Sequence, residues 1–151
     1  MDLVSVIIPY YKKKNFIKEA VLSILKQTYK YFEIIIIYDD SSLDDLLFIK
    51  EIVNLDSRIS LIINKKTIGA GLSRNLGIKS AKGTYLAFLD ADDIWQSNKI
   101  KYQINFMEKN NIDVSHTSYN IINFDGKIIG ERFAKNLNYA DLIKSCDIGL
   151  S

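Results

Sequence analysis

Residues 34–40 read Ile34-Ile35-Ile36-Ile37-Tyr38-Asp39-Asp40, an unbroken β-branched run that ends in two carboxylates. A strand with one wet face alternates apolar and polar residues, so a continuous apolar run marks a strand covered on both faces. Such strands belong to parallel sheets with helices packed on either side. Working outward, Leu3 to Ile8 is a second buried strand, which Pro9 is expected to stop. Ile59 to Ile63 and Tyr85 to Leu89 supply two more, the latter closed by Asp90-Ala91-Asp92-Asp93. Between Pro9 and Ile34, the apolar positions Phe16, Ile17, Ala20, Val21, Ile24 and Leu25 have the spacing of one helix face. A second helix over about Leu43 to Leu55 can be capped by Ser41 or Ser42. A third is opened by Gly69-Ala70-Gly71, runs to about Ala81 and is ended by Lys82-Gly83. Beyond the fourth strand, Asn98 to Lys109 reads as helix and Val114 to Phe124 as one or two strands. Asp125-Gly126 signals a hairpin into Lys127 to Phe133, and Tyr139 to Lys144 reads as a short helix.

Strand and helix alternating in this way predict a doubly wound α/β domain with a mostly parallel sheet, extended at one edge by the antiparallel hairpin. No repeat or linker interrupts the chain, so residues 1–151 are read as one domain. The stretch Asp147-Ile148-Gly149-Leu150 reads as a chain entering another element, which suggests a domain truncated at its C-terminus. A hydrophobic content of 48% and a charged content of 25% are ordinary for a globular protein. A net charge of +2 is too mild to argue for a nucleic-acid partner, and none is expected. The lone Cys146 excludes an internal disulfide and fits a reducing, cytoplasmic setting. No apolar run approaches the ~18 residues needed to span a bilayer. Peripheral contact with the inner face of a membrane needs no such run and is compatible with this sequence.

In open α/β sheets, ligands bind beyond the carboxyl ends of the strands, where strand order reverses. Here those ends carry Pro9-Tyr10-Tyr11, Asp39-Asp40 and Asp90-Ala91-Asp92-Asp93. Carboxylates gathered so closely repel one another unless cations or hydrogen-bond donors offset them. Asp90 and Asp92, two apart on extended chain, can point to one side and suit a hard divalent ion, Mn²⁺ or Mg²⁺. Aspartate is also common in turns and helix caps, so the pair alone is weak evidence. Asp39-Asp40 offers acceptors to a nucleobase N–H or a ribose hydroxyl. The two tyrosines offer a flat face for a base, and we read Tyr11 as the ligand-facing one and Tyr10 as packing. Arg74 lies early in the third helix, where a cation is unfavourable unless an anion such as a diphosphate is near. Lys12, Lys13 and Lys14 are most simply a solvated loop, with an anion-attracting rim as the sharper alternative.

Taken in order, Val4-Ser5-Val6-Ile7-Ile8-Pro9-Tyr10-Tyr11, Gln27-Thr28-Tyr29, Glu33-Ile34-Ile35, Asp39-Asp40, Ser73-Arg74-Asn75-Leu76-Gly77 and Phe88-Leu89-Asp90-Ala91-Asp92-Asp93 resemble the family 2 glycosyltransferases. The resemblance implies the GT-A fold, a Rossmann-like three-layer sandwich. It also implies a nucleotide-diphosphate sugar donor, usually a UDP-sugar, and inversion at the anomeric carbon. An acceptor in surface polysaccharide or glycolipid synthesis, saccharide or lipid-linked, is the common use of such enzymes. By position, Tyr11 would face the base and Asp40 would take its imide N–H. Arg74 would lie near the nucleotide, Asp90 near ribose or metal, and Asp92 on the metal. Pro9 and Ala91, inside the matching blocks, complete the implied nucleotide-sugar site.

Two positions depart from the family pattern. Ser41 stands where a glycine is usual, so that turn has to suit a side chain. Lys12 stands where an asparagine often follows the aromatic pair. Similar enzymes carry the general base in a C-terminal half, so it is expected beyond Ser151. Asp125 and Asp147 read as turn and surface residues. His116 falls in an expected strand and Trp95 after the aspartates; both read as packing. A sugar-phosphate nucleotidyltransferase would need a glycine-rich phosphate loop where Pro9-Tyr10-Tyr11 stands. A fragment that binds nucleotide without catalysing transfer is the other alternative.

Overall fold

The computed structural model describes residues 2–135. Its elements are β1 (Val4–Tyr10), α1 (Lys14–Leu25), β2 (Phe32–Tyr38), α2 (Leu43–Val53), β3 (Ile59–Ile63), α3 (Ala70–Ser80), β4 (Tyr85–Phe88), α4 (Lys99–Asn110), β5 (Tyr119–Ile122) and β6 (Ile128–Arg132). The short helix expected over Tyr139 to Lys144, with Cys146 and Asp147, lies outside the described residues. Two compact units divide within α4, between Lys101 and Tyr102.

The first unit is built on a four-stranded parallel sheet of order β3-β2-β1-β4. From β1 the chain steps outward through α1 to β2 and through α2 to β3. It then turns back through α3 to place β4 on the other side of β1. Right-handed crossovers make that reversal put α3 on the face opposite α1 and α2, giving three layers. Helix α3 accordingly lies on β1 and β2, while α1 contacts α2. Covered on both sides, β2 buries every residue from Ile34 to Tyr38, which is why the isoleucine run does not alternate. Ile7, Ile35 and Ile37 pack with Ile62, Ala81 and Phe88 at the centre.

Pro9 does not stop β1, which continues to Tyr10 in register with Tyr38. The reason is the direction of its missing donor. Ile7 carbonyl accepts from Leu89 N and Tyr10 carbonyl from Asp39 N, so alternate residues of β1 face β4 and β2. Pro9 shares the parity of Ile7, and β4 has paired for the last time at Phe88 opposite Ile7. The missing donor is therefore on the β4 side, and pairing with β2 runs on through Pro9 to Tyr10.

Gly83 also has a different role from the expected helix stop. Helix α3 ends as Ala81 turns extended, at φ −64° and ψ 140°. Gly83 is required because β1 passes close by: a Cβ there would lie 2.6 Å from Leu3 carbonyl and 2.7 Å from Ser5 N. Of the two candidate caps for α2, Ser42 is the one used, its Oγ accepting from Asp45 N at 3.2 Å.

In the second unit, β5 and β6 form an antiparallel hairpin that is a sheet of its own, rather than an extension of the parallel sheet's edge. Its loop is held by Asn123 Oδ1, which accepts from Asp125 N and Lys127 N, with Gly126 at φ 76°. His116 sits in no regular element, against the carbonyl of Lys135.

Candidate functional site

The order β3-β2-β1-β4 places the reversal between β1 and β4, so their carboxyl ends flank the switch point. Tyr11, Lys12 and Lys13 follow β1, Asp39 and Asp40 follow β2, and Asp90 to Asp93 follow β4.

The two tyrosines at the end of β1 differ in burial. Tyr10 is fully buried; its ring stacks on Tyr38 at 5.4 Å and its hydroxyl donates to Asp45. Burial and that carboxylate push the Tyr10 phenol far above its ordinary range, while the hydrogen bond from Tyr10 holds Asp45 low. Tyr11 is 46% exposed, an aromatic face at the sheet's edge. The next residue, Lys12, has φ 52°, and its ammonium lies 5.1 Å from the centre of the Tyr11 ring. Left-handed backbone suits asparagine better than lysine, so Lys12 holds a conformation that its side chain does not favour. Ser41 needs no such conformation, since Lys12 and Asn111 are the non-glycine residues of positive φ among the described residues.

Asp39 and Asp40 separate sharply. Asp39 is 3% exposed and accepts from Asn64 Nδ2 (2.7 Å), Ile68 N (2.9 Å) and Gly69 N (2.7 Å). Burial alone would raise its pKa, but these bonds and one from Ser73 outweigh it and hold the carboxyl below its ordinary value. Asp39 therefore fixes the loop that opens α3 at Gly69 (φ 88°). Asp40 is half-buried and accepts from Ser41 N (2.7 Å) and Ser42 N (3.3 Å) through Oδ1, and from Lys12 N (3.0 Å) through Oδ2. It ties the ends of β1 and β2 together, and a carboxylate with about four acceptor positions keeps one for a ligand.

Across the switch point, two of the carboxylates that follow β4, Asp90 and Asp92, each meet a cation. Arg74 Nη2 donates to Asp90 Oδ1 at 2.5 Å, while Arg74 Nε is buried with no partner. Lys13 Nζ lies 2.6 Å from Asp92 Oδ2. Ala91 between them is buried. Gln27 anchors the segment that follows: its side chain donates to Gln96 carbonyl at 2.7 Å and accepts from Ile100 N at 3.1 Å. Trp95 packs in the core, with Ser23 Oγ accepting from its backbone N–H at 3.1 Å. Lys99, whose ammonium lies 4.9 Å from the Trp95 ring centre, is pushed down to about 8 by burial, with the charge of Asp93 opposing.

Six of the seven expected site residues thus lie at or just after the carboxyl ends of β1, β2 and β4, and the seventh, Arg74, reaches Asp90 from the first turns of α3. Asp92 already accepts an ammonium, so its oxygens suit a hard cation, and Asp90 keeps Oδ2 besides the oxygen bound to Arg74. Among the described residues no group of three metal-ligating side chains is gathered, so phosphate and water oxygens would complete any coordination. Lys13 is expected in a solvated loop or an anion-attracting rim rather than on a carboxylate, and Gln27 carries no expected site role. Lysine triplets usually mark solvated loops, and the Gln27 contact joins residues 73 apart.

The profile of glycosyl transferase family 2 matches residues 5–144 of this chain. The chain belongs to that family. It is 43% identical over 148 residues to the Escherichia coli enzyme WfgD, named UDP-Glc:alpha-D-GlcNAc-diphosphoundecaprenol beta-1,3-glucosyltransferase, covering 97% of this chain and 57% of that one. Among solved structures it resembles S. aureus TarS 1-349 in complex with UDP-GlcNAc (28% identity, TM-score 0.65, 72% of this chain and 32% of that one). It also resembles the Pyrobaculum calidifontis mannosyltransferase PcManGT in complex with GDP-Man and Mn²⁺ (18% identity, TM-score 0.67, 78% and 34%), a likeness of fold alone. The fold is that of GT-A glycosyltransferases. The chain spans between 21% and 59% of the lengths of the curated relatives it matches. No helix among the described residues is long and apolar enough to cross a membrane.

Proposed function

We propose that residues 1–151 form the GT-A donor-binding domain of an inverting glycosyltransferase that uses a UDP-sugar and a divalent cation. The observation that supports this reading is that Tyr11, Asp40 and the Asp90–Asp92 segment follow β1, β2 and β4 on the carboxyl side of one parallel sheet, where Arg74 pairs with Asp90. The exposed ring of Tyr11 stacks on the uracil. Asp40, held by three backbone N–H groups, accepts the imide N–H. Arg74, oriented by Asp90, faces the diphosphate, and its buried Nε gains an acceptor there. Pro9 and Ala91 shape the floor between these groups. A Mn²⁺ or Mg²⁺ ion held by Asp92 and Asp90 would neutralise charge on the departing diphosphate.

Inversion requires a carboxylate that takes the proton of the acceptor hydroxyl during attack. We nominate none in this chain, because Asp125 closes the hairpin loop against Asn123. The acceptor is a saccharide on a lipid diphosphate or a growing polysaccharide at the cytoplasmic face of a membrane. Support comes from relatives whose names specify GlcNAc-diphosphoundecaprenol acceptors or teichuronic acid biosynthesis.

The test is a calorimetric titration of UDP into the purified chain with Mn²⁺, then with chelator, then on Asp92→Ala. Binding that needs the metal and is lost in the variant supports the assignment. If UDP, GDP, CDP and dTDP all fail to bind, the domain does not hold a nucleotide donor.

A further inference from the structure

We propose that Lys13 is the resident counter-ion of Asp92, displaced when a divalent cation enters, and that it thereby sets the cation concentration the site requires. This rests on the donor-site assignment above.

Three observations converge on Lys13. Its ammonium lies 2.6 Å from Asp92 Oδ2 across the gap between the β1 and β4 ends. Its backbone is fixed, because its carbonyl accepts from Phe16 N at 3.0 Å and Ile17 N at 3.1 Å as α1 begins. The side chain is therefore delivered to Asp92 from a firm base. Finally, the ammonium is held against the local field: Lys13 caps the N-terminus of a helix with no acidic residue in its first turn, the end that repels cations. The neighbouring Asp90 is paired through Oδ1 with the guanidinium of Arg74 rather than with an ammonium, so the exchange is at Asp92.

An ammonium and a divalent cation compete for the same carboxylate and repel each other at that range. Metal entry is then an exchange, in which Lys13 leaves as the ion arrives. The domain keeps its switch point electrically balanced when empty, and metal binding is weaker than bare carboxylates would give. Both partners are partly solvated, which limits the size of the effect.

The experiment is Mn²⁺ titration of the purified chain with UDP present, read by loss of the free-ion spin-resonance signal. Lys13→Met is expected to bind Mn²⁺ roughly two- to five-fold more tightly than wild type, with Lys13→Arg close to wild type. In an Asp92→Asn background, Lys13→Met is expected to change nothing. Thermal melts confirm that each variant is folded. Unchanged or weaker Mn²⁺ binding by Lys13→Met, with UDP still bound, overturns this proposal and leaves the donor site standing. A wild type that binds neither UDP nor Mn²⁺ overturns both.

Discussion

Arg74 on the first turns of α3 and Asp90 at the end of β4 form an ion pair of 2.5 Å that joins the helix opened by the Asp39-bound loop to the strand bearing the candidate metal ligands. A guanidinium so placed has one nitrogen committed and another, Nε, buried without an acceptor. Arg74→Ala is expected to lower UDP affinity about ten-fold or more, since it removes a charge-assisted contact and frees Asp90 to repel the diphosphate. Arg74→Lys should recover little, because an ammonium cannot reproduce the planar fork. Calorimetry with UDP and with uridine separates the outcomes: a loss of equal size for both would place Arg74 away from the phosphates.

Asp39 and Asp40 are adjacent, identical and differently employed, so their alanine variants should part company. Asp39→Ala strands donors from Asn64, Ile68 and Gly69 in a buried place and should cost roughly 2–4 kcal/mol of stability. Asp40→Ala loses half-exposed backbone contacts worth about 1 kcal/mol, but should remove most UDP binding. Urea denaturation and UDP titration of both variants check the contrast. Equal effects of the two substitutions on stability would refute it.

That contrast also marks where sequence ceases to be informative. The isoleucine run of β2 betrays its two-sided burial, and the helix bounds follow from apolar spacing. Nothing local, however, distinguishes Asp39 from Asp40, because what separates them is a loop returning from Ile68 and Gly69. The pairing of Lys13 with Asp92 likewise depends on β4 lying beside β1, a fact of strand order that periodicity does not carry. Pro9 was expected to end its strand for a sound local reason. It fails as a stop because its missing donor is on the β4 side, while pairing with β2 continues to Tyr10.

Acid should destabilise the fold through carboxylates held low. Asp39, Asp45 and Asp56 all titrate below their ordinary values in the native state, Asp56 at about 2 because Arg58 donates to it. A native group with a depressed pKa binds fewer protons than the unfolded chain, so its stabilisation is complete above about pH 4. It is lost as pH falls through the native value, near 2 for Asp56. Asp56→Asn should therefore flatten the decline in urea midpoint between pH 4 and 2, by about 1 kcal/mol after allowance for solvent screening. A slope unchanged by the substitution would assign the acid sensitivity elsewhere.

Two glycines hold α3 and β4 tight to β1, and they should differ in what they tolerate. At Gly77 an added Cβ would lie 2.4 Å from Cγ2 of Ile7, a side chain locked in the core beside Ile35 and Ile37. Relief requires repacking, so Gly77→Ala should cost about 1–3 kcal/mol. At Gly83 the obstacle is backbone: Leu3 carbonyl at 2.6 Å and Ser5 N at 2.7 Å. Those atoms belong to the strand edge that pairs with β4, where Val4 stands opposite Tyr85 and Tyr85 N donates to Leu3 carbonyl. Moving them breaks the first rungs of the ladder and the bond from Gly83 N to Ser5 Oγ. Gly83→Ala should thus be the more damaging, and Ile7→Val should partly rescue Gly77→Ala while leaving Gly83→Ala unaffected. Urea midpoints of the three single and two double variants decide it; rescue of Gly83→Ala by Ile7→Val would show that both glycines meet the same side chain.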